Sequence, residues 1–164
     1  MTAATLLAVL CGLLPALASP AAQEEPAQWF KGNLHTHTLW SDGNEFPEVV
    51  AGWYHERGYH FLVLSDHNIL SEGIRWMKVA DARKRGGPEV LTDYIARFGQ
   101  EWVELRGEGE EQEVRLKPLA ELRTLYEAPG KFLMIQGEEI SDSVNRQPVH
   151  INAIHIKDLI TPQG

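Results

Sequence analysis

Phe30-Lys-Gly-Asn-Leu-His-Thr-His-Thr-Leu-Trp-Ser-Asp-Gly43 is the stretch from which the rest of the chain can be read. A short apolar run leads into His35 and His37, one residue apart, and a Ser-Asp-Gly turn follows. In an extended chain residues i and i+2 point to the same side, so the two imidazoles aim at one point. Two neutral imidazoles so placed suit Zn, Mn or Fe. Asp42 comes five residues after His37. The next apolar run, Phe61-Leu-Val-Leu-Ser65, ends in Asp66-His67, and a third, Phe132-Leu-Met-Ile-Gln136, leads to Glu138-Glu139. His150 lies eleven residues beyond Glu139, within Val149-His-Ile-Asn-Ala-Ile-His-Ile156. Metal-ligand residue types thus recur at the ends of successive apolar runs.

These runs organise the fold. A strand is expected at about 30–36, a helix at 46–57 with Pro47 in its first turn and Gly58 past its end, and a strand at 61–65. An unbroken apolar strand is the pattern of a parallel sheet buried on both faces, so strand, helix, strand reads as a βαβ unit. Residues 70–130 hold no histidine and much of the charge, and read as an insertion. Within it we expect a helix at about 88–98, a hairpin of 102–106 against 112–117, and a helix at 118–127. Arg83-Lys-Arg85 reads as a solvated turn. Strands at 132–136 and 149–156 complete the core. Function in parallel α/β folds sits at the carboxyl ends of strands, where these ligand types fall.

Composition sets limits. Of 164 residues 43% are hydrophobic and 23% charged, enough for one domain with a real core. The net charge of −8, from 23 acidic against 15 basic residues, argues against nucleic acid as a partner. Thr5–Ala18 is apolar and ends in Ala16-Leu-Ala18, so residues 1–18 read as a signal peptide and 19–28 as a polar linker. The expected location is periplasmic or secreted, with no stable membrane anchor, since the run is shorter than the roughly 20 residues a span needs. Cys11 is the only cysteine, so the mature chain would lack disulfides, thiolate zinc sites and cysteine nucleophiles. Ser65-Asp66-His67 is no catalytic triad, because adjacent residues cannot form the relay. The acidic run around Glu108–Glu113 lacks the ladder of a calcium loop.

The quoted segments resemble the PHP (polymerase and histidinol phosphatase) metal-dependent hydrolases. The resemblance rests on Asn33-Leu-His-Thr-His-Thr38 with Ser41-Asp-Gly43, Leu64-Ser-Asp-His-Asn68, Gly137-Glu-Glu-Ile-Ser141 and Val149-His-Ile-Asn-Ala153. The last two are similar to a secreted or stand-alone branch whose motif reads Gly-Glu-Glu. The resemblance implies a distorted (β/α)7 barrel that hydrolyses phosphate esters with two or three divalent ions. It places His35 and His37 on one ion, Glu139 between two, His150 on the second, and Asp42 with His67 on the third. The family's later Asp-x-His is not found in this sequence, so the chain is expected to be the amino-terminal part of such a barrel.

The remaining expectations follow from chemistry. Asp66 should support the ligands from behind, and Arg146, in the loop between Glu139 and His150, could grip a substrate phosphate. Glu138 is the weaker of the two glutamates, His55 and His60 are surface or boundary residues, and His155 has the wrong strand parity to face the site. The expected substrate is a small phosphorylated molecule attacked by hydroxide from an ion-acidified water. Two alternatives stay open. One is hydrolysis of an amide, carbamate or carboxyl ester on the same scaffold; the other is a truncated, non-catalytic metal-binding domain.

Overall fold

A computed structural model describes residues 27–163; the expected signal peptide and linker residues 19–26 lie outside the described residues. Three strands form a parallel core: β1 (Gly32–Asn33), β2 (Phe61–Leu64) and the first part of β6 (Leu133–Val144). β2 lies between the other two, with Gly32 beside Phe61 and Leu64 beside Gln136. Leu62, Val63 and Leu64 are buried, as an apolar strand flanked on both sides requires. α1 (Pro47–Glu56) makes the crossover from β1 to β2. It starts with proline in its first turn, where the missing N–H costs nothing, and Gly58 just beyond it takes a left-handed φ of 67°. β1 is shorter than the run suggested. The Asn33 carboxamide donates to Thr36 Oγ1 at 2.8 Å and to the Tyr54 hydroxyl at 2.6 Å, which bends the chain out of the ladder. His35-Thr-His37 therefore lies in an extended loop beyond the strand.

The barrel expectation fails. A (β/α)7 barrel needs about seven helices and an all-parallel sheet, whereas the described residues hold four α-helices and mixed sheets. The decisive departure is at Asn145-Arg146, where both residues adopt left-handed φ, 53° and 62°. That pair of values makes a two-residue turn of the kind that joins antiparallel strands. β7 (Gln147–Ile154) consequently returns antiparallel along β6, pairing Val144 with Gln147 through to Gly137 with Ile154. A parallel barrel strand there would need a crossover of a dozen residues or more. The sheet order is β1-β2-β6-β7.

The insertion builds a second, three-stranded antiparallel sheet, ordered β3 (Arg75–Lys78), β5 (Glu113–Leu116), β4 (Leu105–Arg106). The hairpin of β4 and β5 forms where expected but with a two-residue β4. β3 and α2 (Val79–Gly86) stand where sequence suggested only a solvated turn, and Arg83-Lys-Arg85 is the last turn of α2. α3 (Val90–Phe98) and α4 (Leu119–Tyr126) agree with expectation. The insertion has a core of its own, and the loop after β1 is part of it. Leu39, Trp40 and Phe46 are buried among Val79, Tyr94, Val114 and Leu116. Phe46 stacks on Tyr94 at 3.9 Å, and Trp40 Nε1 donates to the Lys117 carbonyl at 3.0 Å. Fully burying side chains of this size is worth about 1.5–3 kcal/mol each. The loop is thus anchored at its far side by the insertion.

Candidate metal centre

The cluster forms where the three parallel strands end. His35 and His37 come from the loop after β1, Asp42 from the turn that follows, and His67 from the loop after β2. Glu139 lies on β6 just past the half that pairs with β2, and His67 pairs with it in a parallel bridge. His150 enters from β7. Its cross-strand partner is Ser141, so it reaches Glu139 along the diagonal of the β6–β7 ladder.

One carboxylate gathers four imidazoles. Glu139 Oε2 is 3.6 Å from His35 Nε2, 2.6 Å from His37 Nε2 and 3.2 Å from His67 Nδ1. Its other oxygen, Oε1, lies 2.8 Å from His150 Nδ1. Asp42 closes the far side, accepting from His37 Nδ1 at 2.8 Å and lying 3.4 Å from His67 Nε2. These residues make three overlapping groups: His35, His37 and Glu139; His37, Asp42 and His67; His67, Glu139 and His150. Within each, one ligand atom per residue lies within 4.8 Å of the others.

Several other groups hold the ligands. Asp66 is buried, with Oδ1 accepting from the Thr38 amide at 2.8 Å and the Ser41 hydroxyl at 2.6 Å, and Oδ2 accepting from the Thr38 hydroxyl at 3.0 Å. It does not touch the cluster's centre; it fixes the turn that carries His37 and Asp42. Burial pushes the Asp66 carboxyl above its ordinary range, even though the hydrogen bonds from Ser41 and Thr38 pull the other way. At Asp42 partial burial acts upward too, but His37 and His67 beside it and the hydrogen bond from His37 prevail and hold it low. Gly43 follows for a steric reason: a Cβ there would come within 2.6 Å of the Thr38 backbone.

The donor set fits divalent cations. His37 Nε2 and Glu139 Oε2 are buried, close together and without a hydrogen bond. With His37 neutral and its Nδ1–H given to Asp42, its Nε2 lone pair would face the lone pairs of Glu139 Oε2 at 2.6 Å. With protonated rings, cations would crowd one another at ring-centroid distances of 4.6 Å (His35–His37) and 4.4 Å (His37–His67). A divalent ion among these atoms removes both conflicts. Two ligands of a tetrahedral zinc, each about 2.1 Å from the ion, stand roughly 3.4 Å apart. The contacts of 3.6 and 3.4 Å lie near that spacing, and those of 2.6 and 2.8 Å fall short by less than an ångström.

Other expected residues go elsewhere. Arg146 occupies the exposed tip of the β6–β7 turn, and no hydrogen bond or ion pair joins it to the cluster among the described residues. Glu138 points to the opposite side of β6, where Oε2 accepts from the Ile160 amide at 2.9 Å. His60 Nδ1 accepts from the Lys31 amide at 2.8 Å, and His55 packs against the rings of Tyr126 and Phe132. His155 follows β7 with a left-handed φ of 57°. Sequence reasoning missed the hydroxyls behind the histidines: Ser65 Oγ lies 3.0 Å from His35 Nδ1, and Ser141 Oγ lies 2.5 Å from His67 Nδ1. The period-two rule could have found Ser141, two residues after Glu139 and so on its face of the strand. A 410 Å³ apolar cavity lined by Phe30, Phe61 and Phe132 lies at the amino ends of the strands, away from the cluster.

Compared with known protein families and with curated proteins, the chain matches none.

Proposed function

We propose that this chain is a metal-dependent hydrolase acting on small phosphate esters outside the cytoplasm. The observation that carries the reading is the buried Glu139 carboxylate ringed by His35, His37, His67 and His150, with Asp42 closing one side. The motif resemblance to PHP hydrolases supports the same chemistry; the reading rests on the site and not on a barrel. His35, His37 and Glu139 would hold one ion, Glu139 and His150 a second, and Asp42 with His67 a third. Such ions supply Lewis acidity, bringing a water's pKa to near neutrality and offsetting charge on phosphoryl oxygens.

The chain's own residues supply placement and access. Asp66, through Thr38 and Ser41, keeps His37 and Asp42 on one side of Glu139. Glu139 is only 9% exposed at its side chain, whereas His35, His150 and Asp42 are 42%, 45% and 64% exposed. The centre is therefore closed beneath and open above, which suits a small ester approaching from solvent. A substrate phosphate meets no described lysine or arginine bonded into the cluster, so its charge must be balanced by the ions that the six ligands hold.

The test is metal content by elemental analysis, with hydrolysis of p-nitrophenyl phosphate and p-nitrophenyl acetate measured on the same samples. Two or more zinc or manganese ions per chain and preference for the phosphate are expected, with both metal and activity lost in His37→Ala and Glu139→Ala. Unchanged metal content and hydrolysis in His37→Ala would overturn the assignment, and preference for the acetate would transfer it to carboxyl esters.

A further inference from the structure

We propose that Asn152 is a substrate-binding residue of this centre, its carboxamide N–H donating to a phosphoryl oxygen of the bound ester. The placement follows from strand register. Asn152 stands directly across the β6–β7 ladder from Glu139, and His150 stands across from Ser141. The Glu139 backbone bonds toward the β2 side, its amide donating to the Asp66 carbonyl at 3.2 Å and its carbonyl accepting from the Asn68 amide at 3.1 Å. Glu139 and Asn152 are therefore a non-hydrogen-bonded pair of the antiparallel ladder, the kind whose side chains approach most closely. In such a pair the Cβ atoms stand roughly 4.5–5.5 Å apart on one face of the sheet. His150, two residues before Asn152, lies on that same face. The Asn152 carboxamide thus sits beside the central carboxylate, on the side from which His150 enters.

Nothing in the fold uses that carboxamide. Asn152 is exposed, and among the described residues its side chain makes no hydrogen bond or ion pair. Glu139 does not take it up, because both Glu139 oxygens face imidazoles. Strand propensity does not ask for an amide here either. Asparagine is depleted in strands, and the other β7 side chains on this face, His150 apart, are the apolar Pro148 and Ile154. Phosphate chemistry does ask for one. The cluster is built of carboxylates and imidazoles turned toward one another, and no described lysine or arginine is bonded into it. Phosphoryl oxygens need donors as well as cations. Asn152 presents two N–H groups from the open side without adding charge.

The inference rests on the hydrolase reading, and the experiment separates the two. Inorganic phosphate is titrated into the zinc-loaded chain while the ¹H–¹⁵N signals of the Asn152 side chain are followed. Kinetics on p-nitrophenyl phosphate and zinc content are measured for wild type, Asn152→Ala and Asn152→Asp. Phosphate should shift the Asn152 carboxamide signals of the wild type. Asn152→Ala should keep its zinc and raise KM about 10-fold with kcat within about twofold, as expected for one hydrogen bond made equally to bound ester and transition state. Asn152→Asp, which puts a carboxylate where the donor stood, should keep its zinc and bind phosphate more weakly than Asn152→Ala. Hydrolysis by a wild type whose Asn152 signals ignore phosphate, or an unchanged KM in Asn152→Ala, would overturn the inference and leave the hydrolase reading standing. Loss of zinc in Asn152→Ala would also overturn it, by making Asn152 part of the metal's support. A wild type that takes up no zinc or hydrolyses no phosphate ester would overturn the hydrolase reading and this inference with it.

Discussion

Replacing Asp66 by alanine should cost about 2–4 kcal/mol of folding stability although Asp66 is not in the ring around Glu139. The magnitude follows from what loses a partner. Three donors converge on this carboxylate, from the Thr38 amide, the Thr38 hydroxyl and the Ser41 hydroxyl. Ser41 is half-exposed and recovers its bond from water, so its loss counts for little. Thr38 is fully buried. Its hydroxyl keeps one bond, accepting from the Trp40 amide at 3.1 Å, but loses its acceptor, and its amide loses its sole partner. A buried donor left without a partner costs about 1–3 kcal/mol, and two such losses, less the relief of no longer burying a carboxylate, give the quoted range. Asp66→Asn keeps an acceptor for the amide and should cost about half as much.

Urea unfolding of the three proteins measures this, with stabilities ordered wild type, then Asp66→Asn, then Asp66→Ala. The pH dependence adds a second check. Because burial raises the Asp66 carboxyl, the native state holds that proton more tightly than the unfolded chain does. Wild-type stability relative to Asp66→Ala therefore falls as pH rises from the ordinary value of 3.8 through the elevated native one, and the gap between them widens at acid pH. An Asp66→Ala protein within 0.5 kcal/mol of wild type, or less affected than Asp66→Asn, would show that the turn does not hang on this residue.

Three further outcomes are expected. Glu48, in the first turn of α1, is buried, with Oε1 accepting from the Tyr94 hydroxyl and from Trp102 Nε1 at 2.8 Å, and burial raises its carboxyl despite these bonds. Wild-type stability should thus decline as pH rises above 4.5, and thermal melts of Glu48→Gln should show a flatter pH profile over that window. Gly43→Ala forces the Asp42 turn open against the Thr38 backbone, losing about 1–3 kcal/mol in urea unfolding and weakening zinc binding by the same chain. Ile151, on the edge strand β7, is 58% exposed, so Ile151→Lys should leave stability within about 0.5 kcal/mol while light scattering shows slower aggregation.

What could be read from the sequence depended on whether the physics was local. The apolar runs at 61–64 and 132–135 led into β2 and the paired half of β6, because an unbroken apolar tetrapeptide has few other uses in a small domain. Pro47 and Gly58 marked α1 within a residue or two at each end. β3 was invisible because Arg75-Trp-Met-Lys78 carries charge at both ends and lies on a sheet edge, where alternation is weak. The turn that overturned the barrel was harder still. Asn145-Arg146 lacks the glycine that announces a left-handed two-residue turn, so the run after it gave no hint of strand direction. The candidate ligands were legible as a group because His and carboxylate side chains at successive run ends stand out in the sequence. The serines that stand behind them were not, since a hydroxyl's role depends on which ring it meets across the ladder.

The centre needs no barrel to hold its shape. Three backbone bonds tie its segments to one another: Ser65 N–H to the Thr36 carbonyl at 2.9 Å, Asn68 N–H to the Glu139 carbonyl at 3.1 Å, and Glu139 N–H to the Asp66 carbonyl at 3.2 Å. They cross-link the β1 loop, the β2 loop and β6 at the residues that carry His35, His37, His67 and Glu139. β7 adds His150 through its ladder to β6, and Trp40 ties the Asp42 turn to the insertion. Each candidate ligand is thus fixed by a neighbour within this chain. That is why a fold so different from the expected barrel still brings together the candidate ligand residues that the His-Thr-His stretch pointed to.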